Sequence, residues 1–309
     1  MARPQALGVV LLFGVLGGAF AGAPTALHPL LTLVPLVLAA WFVNATALND
    51  LADEAVDRMN LPGDHGRPLA AGDVNRRSLT VLAVAAAVVA LAGAAAIGPA
   101  AVAVVAAGLA LSAAYSFRLS GSGAVAAVLL PAGYVAVPYL VGAFAVGHPA
   151  LGPLPGLWLV FVGRILLKDL RDEAGDRANG KRTFLVRHGR DATCSFSAAA
   201  WVVGTASVVL SVRAWAVALP AALLLAGALA ALQRLRRAGA AYKADVAVVA
   251  LHCRTLAVVL LAHLTPGAPQ WLPLAVAATV VTLHATAGHD TRPVHVRRAS
   301  VAGACNGRV

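Results

Sequence analysis

Residues 49–58 read NDLADEAVDR and residues 168–177 read KDLRDEAGDR, two stretches identical at seven of ten positions. Each closes a long apolar run, at 28–50 and at 154–169. Within each copy the aspartates recur at i, i+3 and i+7: Asp50, Asp53 and Asp57, then Asp169, Asp172 and Asp176. On one continuous helix this spacing places three carboxylates on one face. There they repel one another, and near a helix C-terminus they oppose its dipole. A cation removes that conflict. Hard divalent ions take oxygen ligands, and Mg²⁺ commonly joins one or two carboxylates to phosphate oxygens. A single acid at a membrane surface is more simply a device that keeps a helix end wet. A repeated three-aspartate stripe with Asn49 beside it favours a metal site instead.

The runs that carry the repeat belong to a series. Apolar segments near 5–23, 28–50, 78–97, 99–117, 123–146, 154–169, 192–212, 214–232, 246–264 and 270–288 are each of a length that suits a transmembrane helix. The chain is 60% hydrophobic and 12% charged, with mean hydropathy +0.81, which excludes an ordinary soluble domain. The sequence predicts an all-α polytopic bundle of nine to ten spans in two pseudo-repeated halves, a single domain over 1–290 followed by a basic, fraying tail over 291–309. Ala19-Phe20-Ala21 resembles a leader-cleavage site, yet further spans follow at once, so a retained first helix is the simpler expectation.

Charge sorts the loops. Of 24 basic residues, all but Arg164, Arg213 and Arg254 fall on one side with the acidic segments, while the opposite connections are short, rich in Pro and Gly, and nearly uncharged. The positive-inside rule makes the charged side cytoplasmic. A net charge of +11 spread over such loops fits an anionic leaflet better than nucleic acid. Three scattered cysteines and nine histidines without a ligand spacing indicate neither disulfides nor zinc. Gly121 to Ala126 fits a GxGxxA string, but no strand precedes it, and it is taken as helix packing. Arg164 and Arg254 are costly inside spans and are expected to face a cavity or a carboxylate, or to snorkel.

Basic residues follow each stripe, Arg67 in RPLAAG and Lys181-Arg182 in GKRTF, where they can hold phosphate oxygens. Arg76 stands further out and is assigned to orientation in the membrane alone. Together these motifs resemble the UbiA superfamily of intramembrane prenyltransferases, whose two aspartate-rich motifs end the second and sixth helices. Asn49, Asp50, Asp53 and Asp57, with Arg67-Pro68 and Gly72, match the first motif. Asp169, Asp172 and Asp176, with Gly180, Lys181 and Thr183, match the second, and Tyr115-Ser116 with Arg118 resembles a third element. The resemblance covers roughly residues 5 to 264. Two departures are Ser120, where a Lys is frequent, and the lack of an Asn in the following helix.

The resemblance implies a horseshoe-like bundle with a cavity open to lipid. It implies Mg²⁺-dependent transfer of an isoprenoid chain from its diphosphate to a lipophilic, commonly aromatic, acceptor. It assigns the six aspartates to metal, with Asp53 and Asp172 central. Asn49, Arg67, Arg118, Lys168, Lys181 and Arg182 fall to the diphosphate, and Tyr115 to diphosphate or carbocation. The arginine excess suggests a bacterial cytoplasmic membrane. A terpene cyclase on the same site and a transporter are the alternatives. Transporters, however, place coupling acids near the midplane rather than at one mouth.

Overall fold

The computed structural model describes residues 4–22, 29, 32–60, 67–119, 123–170, 173–178, 180–237 and 243–264. Among these, every regular element is helical. In chain order they are α1 (Pro4–Phe20), α2 (Leu33–Ala52), α3 (Glu54–Asn60), α4 (Pro68–Ala71), α5 (Arg76–Ile97), α6 (Pro99–Ala114), α7 (Gly123–Pro131), α8 (Val137–Val146), α9 (Leu154–Lys168), α10 (Glu173–Ala178), α11 (Phe184–Val212), α12 (Trp215–Arg237) and α13 (Lys243–Leu264). Wide π-turns at Tyr115–Leu119 and Ala132–Ala136 extend α6 and join α7 to α8. Among the described residues six helices are long and apolar enough to cross a bilayer, and two shorter apolar stretches, Ala6–Phe20 and Leu251–Leu264, accompany them. The expected span 270–288 and the tail 291–309 lie outside the described residues.

Burial follows membrane logic. Helix α5 turns Ala83, Ala86, Ala90 and Ala94 inward and leaves Val81, Val84 and Val88 exposed. Lipid solvates large apolar side chains as well as a protein interior does, so the inner face is selected for smallness and close approach.

Among the described residues two large apolar cores divide the bundle, with a smaller third around Ala47, Leu51, Leu69 and Leu79. One joins α1, α2, α5, α6 and α8 through Val10, Leu38, Trp41, Val105 and Val141. The other joins α1, α8, α9, α11, α12 and α13 through Phe13, Tyr139, Phe161, Trp201 and Leu256. The seam is the α1–α8 pair, where the backbones nearly touch: a Cβ on Gly17 would stand 1.9 Å from the Tyr139 carbonyl oxygen. In each half the helix that ends in an acidic segment packs on the next long span, α2 on α5 and α9 on α11. The internal repeat read from ten letters is thus also a repeat of packing.

Both acidic segments interrupt their helices. The expectation of one continuous helical face is corrected here: α2 stops at Ala52, Asp53 takes φ −92°, ψ 4°, and α3 begins at Glu54. In the second copy α9 ends at Lys168 and α10 begins at Glu173. The break has a physical reason. Acids at a helix C-terminus oppose its dipole, whereas Glu54 and Asp57, and likewise Glu173 and Asp176, now occupy the first turn of a new helix, where the dipole favours them.

Candidate active site

The RPLAAG element is built by its own residue types. Arg67 precedes a proline and is extended, Pro68 opens the single turn of α4, and Gly72 closes it in the left-handed region at φ 83°. This turn carries the Arg67 side chain to the first stripe. Its Nη1 donates to Asp50 Oδ1 at 2.7 Å and lies 3.1 Å from Asp57 Oδ2. Asp50 and Asp57 are both buried, and one guanidinium draws them together across the helix break. Asn49 Nδ2 donates to Asp53 Oδ2 at 3.0 Å, which fixes the central carboxylate. Glu54 is held by Arg58 at 2.7 Å and by Arg76, which ties the segment to the start of α5. Arg76 therefore has a structural part beyond orientation.

The second segment is laid out in the same way with different cations. Lys168 Nζ donates to Asp169 Oδ1 at 2.5 Å, and Lys181 Nζ stands 3.9 Å from Asp176 Oδ1. Asp169 and Asp176 are buried. The Lys181 amide donates to the Asp176 carbonyl at 2.9 Å, so the loop folds back on α10. Glu173 pairs with Arg177 at 3.0 Å and reaches Arg190 at 4.0 Å. Asp172 lies outside the described residues, as does Ser120.

Gly123 sits at φ +34°, and a Cβ there would come within 2.7 Å of the Arg182 carbonyl oxygen. Gly123 therefore packs against the loop after the second segment. The Arg182 and Arg118 side chains are exposed.

Tyr115 links the two copies. Its hydroxyl lies within electrostatic range of Asp53 from the first segment and of Lys168 and Asp169 from the second. It also borders a cavity of about 540 Å³ whose walls include Asn49, Thr46, Trp41, Phe42, Ser112 and Tyr134. Trp41 is eight residues before Asn49 on α2, so the cavity descends about 12 Å from the charged mouth. A smaller cavity of about 290 Å³ adjoins Lys168, Asp169 and Thr183. Among the described residues no three acid, histidine or cysteine groups converge on one metal position by themselves. An ion there draws further ligands from a phosphate and water, which suits Mg²⁺.

The chain from 11 to 253 matches the model of the UbiA prenyltransferase family. The chain belongs to the UbiA prenyltransferase family. It is a membrane-embedded prenyltransferase, and the resemblance read from the aspartate motifs holds. A digeranylgeranylglyceryl phosphate synthase of Methanopyrus kandleri is 34% identical over 197 residues, which cover 61% of this chain and 68% of that protein. Among solved structures, a UbiA homologue of Aeropyrum pernix K1 superposes with TM-score 0.64 at 19% identity, covering 91% of this chain and 99% of the other. A homologue of Archaeoglobus fulgidus bound to GPP and Mg²⁺ gives 0.62 at 15% identity, over 93% and 96%. At such identities the superpositions establish the fold.

The charged residues of this UbiA protein are visible in its sequence, but the cavity aromatics Trp41, Phe42 and Tyr134 do not stand out there. A signal exists. Stepping back from Asn49 at helical spacing gives Ala45, Phe42 and Trp41, and stepping back from Tyr115 gives Ser112 and Leu111, all of which line the cavity.

Proposed function

We propose that this protein transfers an isoprenoid chain from a prenyl diphosphate to a lipophilic acceptor, with Mg²⁺ held by Asp50, Asp53, Asp57, Asp169, Asp172 and Asp176. One observation carries the proposal: two acidic segments share a single tyrosine, and that tyrosine stands at the head of an apolar, aromatic-walled cavity. The donor set fits the metal, since Asp50 and Asp57 already converge on one cationic group. Bound Mg²⁺ supplies electrophilic stabilisation of the leaving diphosphate.

The chain's own residues do the rest. Arg67, Lys168 and Lys181, with Arg118, Arg182 and the amide of Asn49, present cations and a donor around the mouth, and they favour the charge that grows on the leaving group over the ground state. The prenyl tail descends between Trp41, Phe42 and Tyr134. As the allylic C–O bond breaks, the ring of Tyr115 faces the developing cation. The apolar walls keep water from capturing it before the acceptor does. The GPP- and Mg²⁺-bound homologue and the named synthase support this chemistry. The name of that synthase points to a glyceryl phosphate lipid, so the acceptor need not be aromatic. The charged mouth is assigned to the cytoplasmic side, by the distribution of Lys and Arg.

Incubating the purified protein with Mg²⁺, prenyl diphosphates of graded length and a panel of glyceryl phosphate and aromatic acceptors tests the proposal. Coupled product is expected by mass, with turnover abolished in Asp53→Ala and Asp172→Ala and by chelation. Near-normal activity in either variant, or in excess chelator, removes the metal role. Turnover without any acceptor favours cyclisation instead.

A further inference from the structure

The cavity below Tyr115 has a floor as well as walls. Among the described residues its lining ends at Trp41 on α2, at Leu111 on α6, and at Gly133 and Tyr134 in the π-turn after α7. One turn deeper on α6 stands Gly108, where an added Cβ would lie 2.8 Å from Trp41 Nε1 and 3.1 Å from the Val137 methyls. On the other side, an added Cβ at Gly133 would lie 3.5 Å from Cη2 of the same indole. The Trp41 ring therefore bridges α6 and the π-turn, slotted between two glycines. Beneath it lies packed core: Trp41 is 3% exposed and joins Leu38, Val105 and Val137 in one apolar cluster.

The choice of tryptophan is informative. Its Nε1 has no hydrogen-bond partner among the described residues. A buried indole N–H usually finds one, and leaving it open costs free energy. Phenylalanine would fill a core without that cost, but it is too short to reach from one glycine to the other. Size and rigidity are then what Trp41 contributes. The wall beside it is braced as well, since Phe42 meets Tyr134 at 6.4 Å and Tyr134 stacks on Phe161 at 5.3 Å.

We propose that the Trp41 indole, held between Gly108 and Gly133, is the length stop of the donor cavity and selects geranyl-length diphosphates over longer ones. This rests on the prenyl-transfer function proposed above. An extended isoprene unit advances about 5 Å, so the roughly 12 Å between the levels of Asn49 and Trp41 takes about two units. A third unit meets the indole or must turn aside past the half-buried Leu129 and Leu130. Removing the indole opens a space larger than one isoprene unit, because the packed surroundings close over it only in part. Gly108→Ala acts the other way, since its Cβ pushes the rigid ring toward the cavity.

The test titrates the purified full chain in detergent with Mg²⁺ and dimethylallyl, geranyl, farnesyl or geranylgeranyl diphosphate, following the thermal midpoint. Each affinity is read relative to that of inorganic pyrophosphate, which reports the charged mouth alone. The ratio between chain lengths is the readout, because a merely structural loss lowers all lengths together. In the wild type geranyl diphosphate should bind about ten-fold or more tighter than geranylgeranyl diphosphate. Trp41→Ala should reverse that order in favour of the longer chains, and Trp41→Phe should move it part of the way. Gly108→Ala should weaken geranyl diphosphate relative to dimethylallyl diphosphate. If Trp41→Ala does not fold, Trp41→Phe and Gly108→Ala decide. Wild-type affinities that are equal across lengths or rise with length overturn the length stop, as does an unaltered order in the folded Trp41 variants. No response of the wild type to any prenyl diphosphate counts against the prenyl-transfer proposal itself and is distinct from a response that ignores length.

Discussion

In the first acidic segment a single guanidinium, that of Arg67, contacts Asp50 at 2.7 Å and Asp57 at 3.1 Å; in the second the cations are amines, Lys168 beside Asp169 at 2.5 Å and Lys181 3.9 Å from Asp176. Seven of ten letters are shared. The difference arises from the chain just beyond each segment. RPLAAG makes a one-turn helix that presents a planar, five-donor fork, whereas GKRTF makes an extended loop that presents point charges. In the first half one guanidinium therefore cross-links two carboxylates.

The sharpest way to break that contrast is to remove one cation from each half. Arg67→Gln leaves Asp50 and Asp57 buried beside each other without their shared partner, and should cost about 3 kcal/mol. Lys181 stands farther from its carboxylate and is more exposed, so Lys181→Gln should cost less than about 1 kcal/mol. Unfolding of both proteins in the same detergent without Mg²⁺ measures the two losses. Equal losses would mean that the fork cross-links nothing. Arg67→Lys should fall between, because one ammonium cannot satisfy both carboxylates at once.

A smaller effect separates two glycines. At Gly72, with φ 83°, an added Cβ would meet nothing within 4 Å, whereas at Gly123, with φ +34°, it would stand 2.7 Å from the Arg182 carbonyl oxygen. Gly72→Ala meets only the left-handed backbone penalty, about 1 kcal/mol. Gly123→Ala adds a clash with backbone and should cost about 2 kcal/mol in all. It should also slow turnover, since the loop it displaces carries Lys181 and Arg182. Parallel stability and rate measurements check this, and a Gly123→Ala protein with normal turnover would separate the loop's position from catalysis.

How much of this was legible in the sequence depends on the kind of signal. The first nine expected spans coincide with helices because sustained hydropathy and Pro or Gly breakers are local properties. The charged members of the candidate site were legible because like carboxylates at i, i+3 and i+7 demand an explanation wherever they stand. The break at Asp53 was not, since neither Gly nor Pro marks it; it follows from the dipole preference of Glu54 and Asp57, which only a choice between two helix registers reveals. Trp41 and Phe42 were hidden for the opposite reason. In α2 almost every position is apolar, so hydropathy has no contrast with which to tell a cavity wall from a lipid face. The contacts of Arg67 were hidden too, because 17 residues of chain separate it from Asp50.

The smallest expected effect concerns how the two halves restart their helices after the acidic loops. Asn75 caps α5 by accepting from the Ser78 amide at 2.8 Å, and Thr183 caps α11 by accepting from the Val186 amide at 3.3 Å. Each cap satisfies a donor that the first turn leaves open, and its removal to alanine typically costs about 1 kcal/mol. The shorter bond makes Asn75→Ala the costlier by stability. Function should rank them the other way. Thr183 is buried and borders the cavity beside Lys168 and Asp169, whereas Asn75 is exposed at the outer edge of its loop. Loss of the Thr183 cap frees the chain that carries Lys181, so the apparent affinity for prenyl diphosphate should fall more in Thr183→Ala than in Asn75→Ala. Thr183→Ser, which keeps the acceptor oxygen, should restore it. The same loss of affinity in both alanine variants would show that the cap acts through global stability, and the asymmetry between the two loops would then be confined to their cations.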